Sequence, residues 1–141
     1  MSDKLNLQMV TPYKKVLAEE VDEITAPGTV GEFGVLPGHT PLLTTLKIGE
    51  LSYRKGTEVF HVAVNWGYVE VEDDNVSVLV ETAEPADEID LERAKAALGR
   101  AEEALRQLSP DDKDFLAMQA ALERALIRIQ VAGRKGDHGH R

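Results

Sequence analysis

The sequence contains no cysteine, and aromatic residues make up only 5% of its 141 positions. Without cysteine the chain can form no disulfide, no thiolate metal site and no cysteine nucleophile, so nothing in it requires an oxidising compartment. No apolar run approaches the ~20 residues of a membrane-spanning helix, and the first residues lack the apolar core of a secretory signal. We therefore expect a soluble chain, which could still form part of a membrane complex.

Basic residues are scarce relative to acidic ones, since 16 Lys and Arg face 25 Asp and Glu for a formal charge of -9. Phosphate backbones are bound by clustered Lys and Arg, so we expect no general affinity for nucleic acid. Serine is scarce too, and none of the four serines lies in a nucleophile-elbow sequence. The glycine-rich stretch 28–34 lacks the Lys-Ser/Thr of a P-loop. No residue is therefore assigned a catalytic role, and no metal site is predicted.

Residues 1–86 have the pattern of a small β domain. Apolar and polar residues alternate over short stretches such as 5–9 and 75–80, which places one face of each strand in a core. Turn-forming sequences such as Ala26-Pro27-Gly28 and Asp73-Asp74-Asn75 separate these stretches. Seven or more short strands within about 80 residues predict an antiparallel sandwich or barrel.

Residues 87–133 change to the period of a helix. Two apolar stripes, over 94–108 and 115–129, follow spacings of three and four and predict an antiparallel helical hairpin. Ser109, with the proline and two acids after it, matches a helix N-cap, so we expect the second helix to begin there. The stripes are rich in alanine, which buries little apolar surface, and this predicts a marginal hairpin that is able to open. The tail, 134–141, is Gly-rich and charged and is predicted to be disordered.

The stretch from Gly31 to Leu43 is punctuated by glycines and prolines that fix its backbone path. Apolar residues tie it to the core and leave Glu32 and His39 as polar tips. From the residues alone, a rigid structural connection with His39 bonded locally is the favoured interpretation.

Four arginines form a second notable pattern. Arg93 and Arg100 lie seven residues apart on the first predicted helix, and Arg124 and Arg128 lie four apart on the second. Folding of the hairpin could bring the four guanidinium groups to one edge, where their geometry would suit phosphate oxygens. The residues alone leave an alternative open, in which each arginine pairs with a neighbouring acid and Asp90 is only the N-cap of its helix.

Several motifs, in their order along the chain, resemble one family. They are Val10-Thr11-Pro12, the Gly31 to Leu43 loop, Gly67-Tyr68-Val69-Glu70-Val71, Asp74-Asn75-Val76, and Ile89-Asp90 followed by Arg93-Ala94. Over about residues 4–132 the chain resembles the epsilon subunits of bacterial F-type ATP synthases. The resemblance implies a sandwich of about ten short strands followed by a two-helix hairpin. It also implies a non-catalytic subunit of the rotating central stalk, peripheral to the bacterial inner membrane on its cytoplasmic side.

The resemblance implies partners as well. The sandwich would bridge the gamma subunit and the c-ring, with Glu32 and His39 at that contact. The helices would restrain ATP hydrolysis, reaching a catalytic beta subunit when they are extended.

A regulatory ATP site in the folded hairpin is implied too, although no cofactor is required. Ile89 would pack against the nucleotide and Asp90 would cap the helix beside it, while Pro85 and Gly99 depart from the pattern of ATP-binding members. The further arginines match if one residue is inserted near Ser109. The residues that match the ATP-binding pattern are Ile89, Asp90, Arg93, Ala94, Arg100, Arg124 and Arg128.

Two other functions fit the residues. One is a free-standing ATP-sensing module, which the arginine pattern favours. The other is an adaptor that uses the hairpin as a partner-binding helix pair and has no nucleotide role. Formation of a stable complex with a gamma subunit separates the rotor subunit from both.

Overall fold

A computed structural model describes residues 3–135, so residues 136–141 of the tail predicted to be disordered lie outside the described residues, whereas Arg134 and Lys135 form a turn after the last helix. Eight strands are followed by a short 3-10 turn and two helices. Neither helix in the described part is long and apolar enough to cross a membrane. The elements are β1 (Leu5–Val10), β2 (Lys15–Val21), β3 (Glu23–Gly28), β4 (Gly31–Val35), β5 (Leu42–Leu46), β6 (Gly49–Lys55), β7 (Glu58–Glu72), β8 (Asn75–Pro85), the 3-10 turn (Ala86–Glu88), α1 (Leu91–Gln107) and α2 (Phe115–Ala132).

The strands pair in the order β2-β1-β8-β7-β5-β3-β4, and β6 pairs with both β3 and β7. Only the β1 and β8 pair is parallel among the pairings of the described chain. Alternate residues of the strands point inward, as the sequence period predicts, and close one apolar core. The large side chains at its centre include Leu5, Leu7, Met9, Ile24, Leu46 and Leu51.

β7 is the strand that joins the two layers of the sandwich. Its first half pairs with β6 and its second half pairs with β5, and β8 follows it along both halves. At the junction Trp66 has a positive φ of 37°. A Cβ on the next residue, Gly67, would lie 2.0 Å from the carbonyl oxygen of Leu79, so only glycine fits there. The predicted class, a sandwich followed by a helical hairpin, is confirmed. The described chain has eight strands where about ten short ones were expected, because the long strands β7 and β8 each serve both layers.

The two helices pack along the predicted alanine-rich seam. Ala94 and Ala101 of α1 and Ala125 of α2 are buried, whereas the larger apolar residues of the seam are only partly covered. The side chain of Asp90 caps α1 by accepting a hydrogen bond from the backbone N–H of Arg93 at 3.1 Å.

The predicted start of the second helix at Ser109 is wrong, because α2 begins at Phe115. The backbone N–H of Ser109 donates to Asp112 Oδ2 at 2.7 Å, and the N–H of Asp112 donates to the Ser109 carbonyl at 2.9 Å. These bonds close a compact turn, since short polar side chains compete with the helix for backbone groups. The connection between the helices is therefore longer than the sequence predicted.

Candidate functional site

The end of α2 docks on the sandwich through a small apolar cluster, separate from the main core. Ile89 is 1% exposed and lies among Ala63 of β7, Ala86 of the 3-10 turn, and Val131 and Ala132 of α2. Because these residues come from both parts of the chain, the cluster joins the hairpin to the sandwich.

Beside this cluster, the carboxylate of Glu50 joins the same two parts by hydrogen bonds. From α2 and the residues after it, Gln130 Nε2 donates to Glu50 Oε1 at 2.6 Å, and the guanidinium of Arg134 donates to both carboxylate oxygens at 3.1 and 3.2 Å. From β7, His61 Nδ1 lies 2.5 Å from Glu50 Oε2. Burial alone would raise the pKa of Glu50, but the hydrogen bonds from Arg134 and Gln130 outweigh it and hold that pKa below its usual range. The carboxylate is therefore ionised at neutral pH. We call Glu50, His61, Gln130 and Arg134 together the Glu50 latch.

A cavity of about 630 Å³ lies between the sandwich and the hairpin. Its apolar lining consists of Ala97, Ala101, Met118, Ala121 and Ala125 of the two helices. The side-chain amide of Asn65 donates to Glu81 at 3.3 Å, while its oxygen is buried without a hydrogen-bond partner among the described residues. The polar residues that line the cavity are Asn65, Thr82, Glu84, Arg100, Arg124 and Arg128.

Three of the four predicted arginines line this cavity, and they differ in their partners. Arg128 is paired, since its Nε donates to Glu84 Oε1 at 2.7 Å and its Nη2 to Glu84 Oε2 at 3.4 Å. Within residues 3–135, no carboxylate forms an ion pair with Arg100 or Arg124. The lining thus carries three guanidinium groups against one carboxylate, which favours an anionic occupant.

The remaining residues of the predicted nucleotide site lie outside the cavity lining. Arg93 is exposed one helical turn before Ala97, which does line the cavity, so it lies on the same face of α1. Ala94 is buried in the helix seam, and the Ile89 side chain is buried in the docking cluster. Asp90 is occupied as the helix cap. Sequence reasoning did not identify Asn65 and Glu84, which lie on strands where neither forms part of a recognisable motif.

The Gly31 to Leu43 loop places its two polar residues at opposite ends of β4. Glu32 is exposed near the start of β4, where it pairs with Pro27 of β3. His39 follows the end of β4, and its Nδ1 lies 2.6 Å from the carbonyl oxygen of Thr40. The turn before it is held by the N–H of Gly38, which donates to a carboxylate oxygen of Asp74 at 2.7 Å.

An exposed apolar face on the sandwich was not identified from the sequence. The strand register places Tyr68 of β7 beside Leu79 of β8, with Leu43 of β5 diagonal to Tyr68, and Trp66 shares a shallow groove with Leu79. These four residues, the apolar face, are 42%, 41%, 68% and 43% exposed in that order. A signal was present, because outward positions of these strands carry large apolar residues where polar ones are usual.

The described residues contain no cluster of His, Asp and Glu that could hold a metal ion. The described residues offer two kinds of binding surface, a cationic cavity and an apolar face.

Comparison with known proteins gives matches over both parts of the chain. Residues 4–86 match the family "ATP synthase, Delta/Epsilon chain, beta-sandwich domain", and residues 87–133 match "ATP synthase, Delta/Epsilon chain, long alpha-helix domain". The chain is 71% identical over 136 residues to the ATP synthase epsilon chain of Geotalea daltonii, covering 96% of this chain and 99% of that one. It is 72% identical over 134 residues to the ATP synthase epsilon chain of Geobacter sulfurreducens, covering 95% and 97%.

Among solved structures, a chain of the Euglena gracilis mitochondrial ATP synthase, in a structure of its OSCP, F1 and c-ring, has a similar fold. The TM-score is 0.79 at 27% sequence identity, and the match covers 94% of this chain and 82% of the Euglena chain.

Proposed function

The chain belongs to the family of ATP synthase delta and epsilon chains, and from this premise we propose how its surfaces serve that complex. It is a non-catalytic subunit of the central stalk that links the gamma subunit to the c-ring and restrains ATP hydrolysis through its helices. The observation that carries this function is the match of both parts, in the same order, along nearly the whole chain. The membrane that carries the complex is proposed to be the bacterial inner membrane, with this subunit on its cytoplasmic side.

The apolar face is proposed as the surface that binds the gamma subunit. Contiguous exposed apolar residues on a soluble domain favour a protein partner, because covering them removes apolar area from water. Glu32 and His39 are proposed to lie at the rim of this contact, toward gamma and the c-ring. Charge reversal at Glu32 or replacement of His39 should then weaken coupling without unfolding the sandwich.

Co-purification with the gamma subunit tests this surface. We expect the unchanged chain to form a stoichiometric complex and Leu79→Glu to weaken it at least tenfold, because a carboxylate would be buried against the partner. Leu116→Glu is the matched control, since it adds the same charge at an exposed leucine of the hairpin. Equal affinity of the two variants for gamma would rule out the apolar face as the contact.

The hairpin is proposed to restrain hydrolysis by leaving the sandwich and extending toward a catalytic beta subunit. Its alanine seam buries little apolar area, and the docking of α2 on the sandwich adds only the small cluster around Ile89, so the folded form is marginal. Removing residues 88–141 should preserve assembly and raise ATP hydrolysis. Unchanged hydrolysis in the truncated complex would contradict a regulatory role of the helices.

The cationic cavity is proposed to bind ATP when the hairpin is folded. Arg100, Arg124 and Arg128 line it directly, and Arg93, one helical turn before Ala97 on the same face of α1, is proposed to contact the phosphates. Asp90 supports the site as the cap of α1, while Ile89 and Ala94 support it through packing. ATP at cellular millimolar concentration with a dissociation constant near ~0.1 mM would stabilise the folded form by about 1.4 kcal/mol.

Calorimetric titration of the full chain with ATP tests the cavity. Arg124→Ala should weaken binding about tenfold or more, since a charge-assisted contact is lost. Arg106→Ala is the control, because Arg106 is exposed on α1, pairs with Glu103 and does not line the cavity. Binding absent at several millimolar ATP, or undiminished in Arg124→Ala, would exclude this site.

A further inference from the structure

Glu50 holds the part of the hairpin that must move if the helices are to leave the sandwich. Its donors Gln130 and Arg134 come from the last turn of α2 and the residues just beyond it. The third donor, His61, belongs to the sandwich. One partly buried carboxylate therefore accepts hydrogen bonds from both parts at once.

The loss of this carboxylate would remove the acceptor that Gln130, Arg134 and His61 share. The side chains of Glu50 and His61 are 13% and 14% exposed, so the ring nitrogen of His61 would lose its acceptor in a place that water reaches poorly. Gln130 and Arg134 are more exposed, and water replaces part of their bonds to Glu50. Hydrogen bonds to an ionised group are also the stronger kind. A further bond, from Lys135 Nζ to the Ile89 carbonyl at 2.7 Å, holds the same end of the chain. The latch thus concentrates polar contacts at the place where α2 ends.

The position of that end also sets where the cavity arginines lie. Arg124 and Arg128 belong to α2, the helix whose last turn Glu50 holds. Releasing the last turn from the sandwich would turn Arg128 away from Glu84 and withdraw Arg124 from the cavity wall. Among the described residues, Glu50 is the only sandwich residue that forms a hydrogen bond with Gln130.

We propose that Glu50 is a positioning residue, which fixes the end of α2 on the sandwich and thereby holds the hairpin folded and Arg124 and Arg128 at the cavity. The part of this inference that concerns the arginines rests on the proposed binding of ATP, whereas the docking of α2 does not. The latch biases the chain toward its folded arrangement before any ligand is present.

Amide hydrogen exchange on the full chain measures the latch without a ligand. In Glu50→Gln, the amides of residues 127–132 should exchange at least tenfold faster, while those of the sandwich core keep their protection. Arg134→Gln removes the contact from the hairpin side, leaves the sandwich unchanged and should give the same result. The control is Glu23→Gln, which removes a carboxylate paired with Arg54 inside the sandwich and away from the helices.

The same proteins are then titrated with ATP. Faster exchange together with weaker ATP binding in both latch variants is the expected result. Exchange in residues 127–132 that is unchanged, or no faster than in the control, would overturn the latch. Faster exchange with unaltered ATP affinity would overturn the positioning of the arginines. If the unchanged chain binds no ATP but the exchange effect is present, the latch is upheld and the proposed ligand fails.

Discussion

Truncation of Ile89 tests whether this side chain serves the docking of the hairpin or contacts a nucleotide. Its side chain is 1% exposed, and its buried neighbours are three alanines and Val131. Small neighbours on three different elements cannot fill the space that Ile89→Ala would leave. Isoleucine-to-alanine changes in such sites cost about 2 to 5 kcal/mol, and we expect about 3 kcal/mol here, roughly a hundredfold in the docking equilibrium. Ile89→Val should cost about 1 kcal/mol by the same reasoning.

Hydrogen exchange in the last turns of α2, measured beside urea denaturation of the full chain, provides the assay for Ile89. Docking should weaken in the order unchanged chain, Ile89→Val, Ile89→Ala, and any loss of ATP affinity should follow the loss of docking. The reasoning is refuted if Ile89→Ala lowers ATP affinity while exchange and unfolding stay as they were. In that case the side chain contacts the nucleotide, as the family resemblance implies, and the buried cluster contributes little to docking.

Three further predictions follow from backbone geometry and charge. Gly67→Ala should destabilise the chain by about 3 kcal/mol or more in urea denaturation, because the new Cβ meets the backbone of β8. Gly34→Ala, whose Cβ would have its nearest atom at 3.8 Å, should cost under about 1 kcal/mol, and equal urea midpoints for the two variants would contradict the close approach of β8 to Gly67. Asp74→Gly should speed exchange of the Gly38 amide several-fold, since the carboxylate that accepts the hydrogen bond of that amide is lost, while Asp74→Asn should retain its protection. Identical exchange in the two variants would show that the Asp74 side chain does not hold the turn at Gly38. The pKa of Glu50 is lower in the folded chain than its ordinary 4.5, so the carboxylate stabilises docking at neutral pH, and this stabilisation is lost as the pH falls from 4.5 through the pKa of the folded chain. Hydrogen exchange in α2 should therefore speed up in acid, and Glu50→Gln should make that exchange depend less on pH.

The family resemblance and the periodicity of the sequence predicted much of the architecture. Alternation with period two depends only on local geometry, so stretches such as Leu5 to Met9 indicated strands with one buried face. The change of period after Pro85 indicated helices, and the N-cap role of Asp90, which the residues left open as an alternative, is the one that the structure shows. The start of α2 was missed, because Ser109 and Asp112 bond to each other's backbone in a turn that mimics a cap.

The sequence by itself determined the elements, the excess of acidic residues and the candidate arginines, because these follow from residue types and spacings along the chain. The tertiary structure decided which of those residues meet. Packing of the hairpin on the sandwich brings Arg128 of α2 to Glu84 of β8 and Gln130 to Glu50 of β6, pairs that are 44 and 80 residues apart in the chain. Such contacts depend on how two preformed surfaces dock, and no local period encodes that geometry. The cavity and the latch therefore exist only in the folded chain.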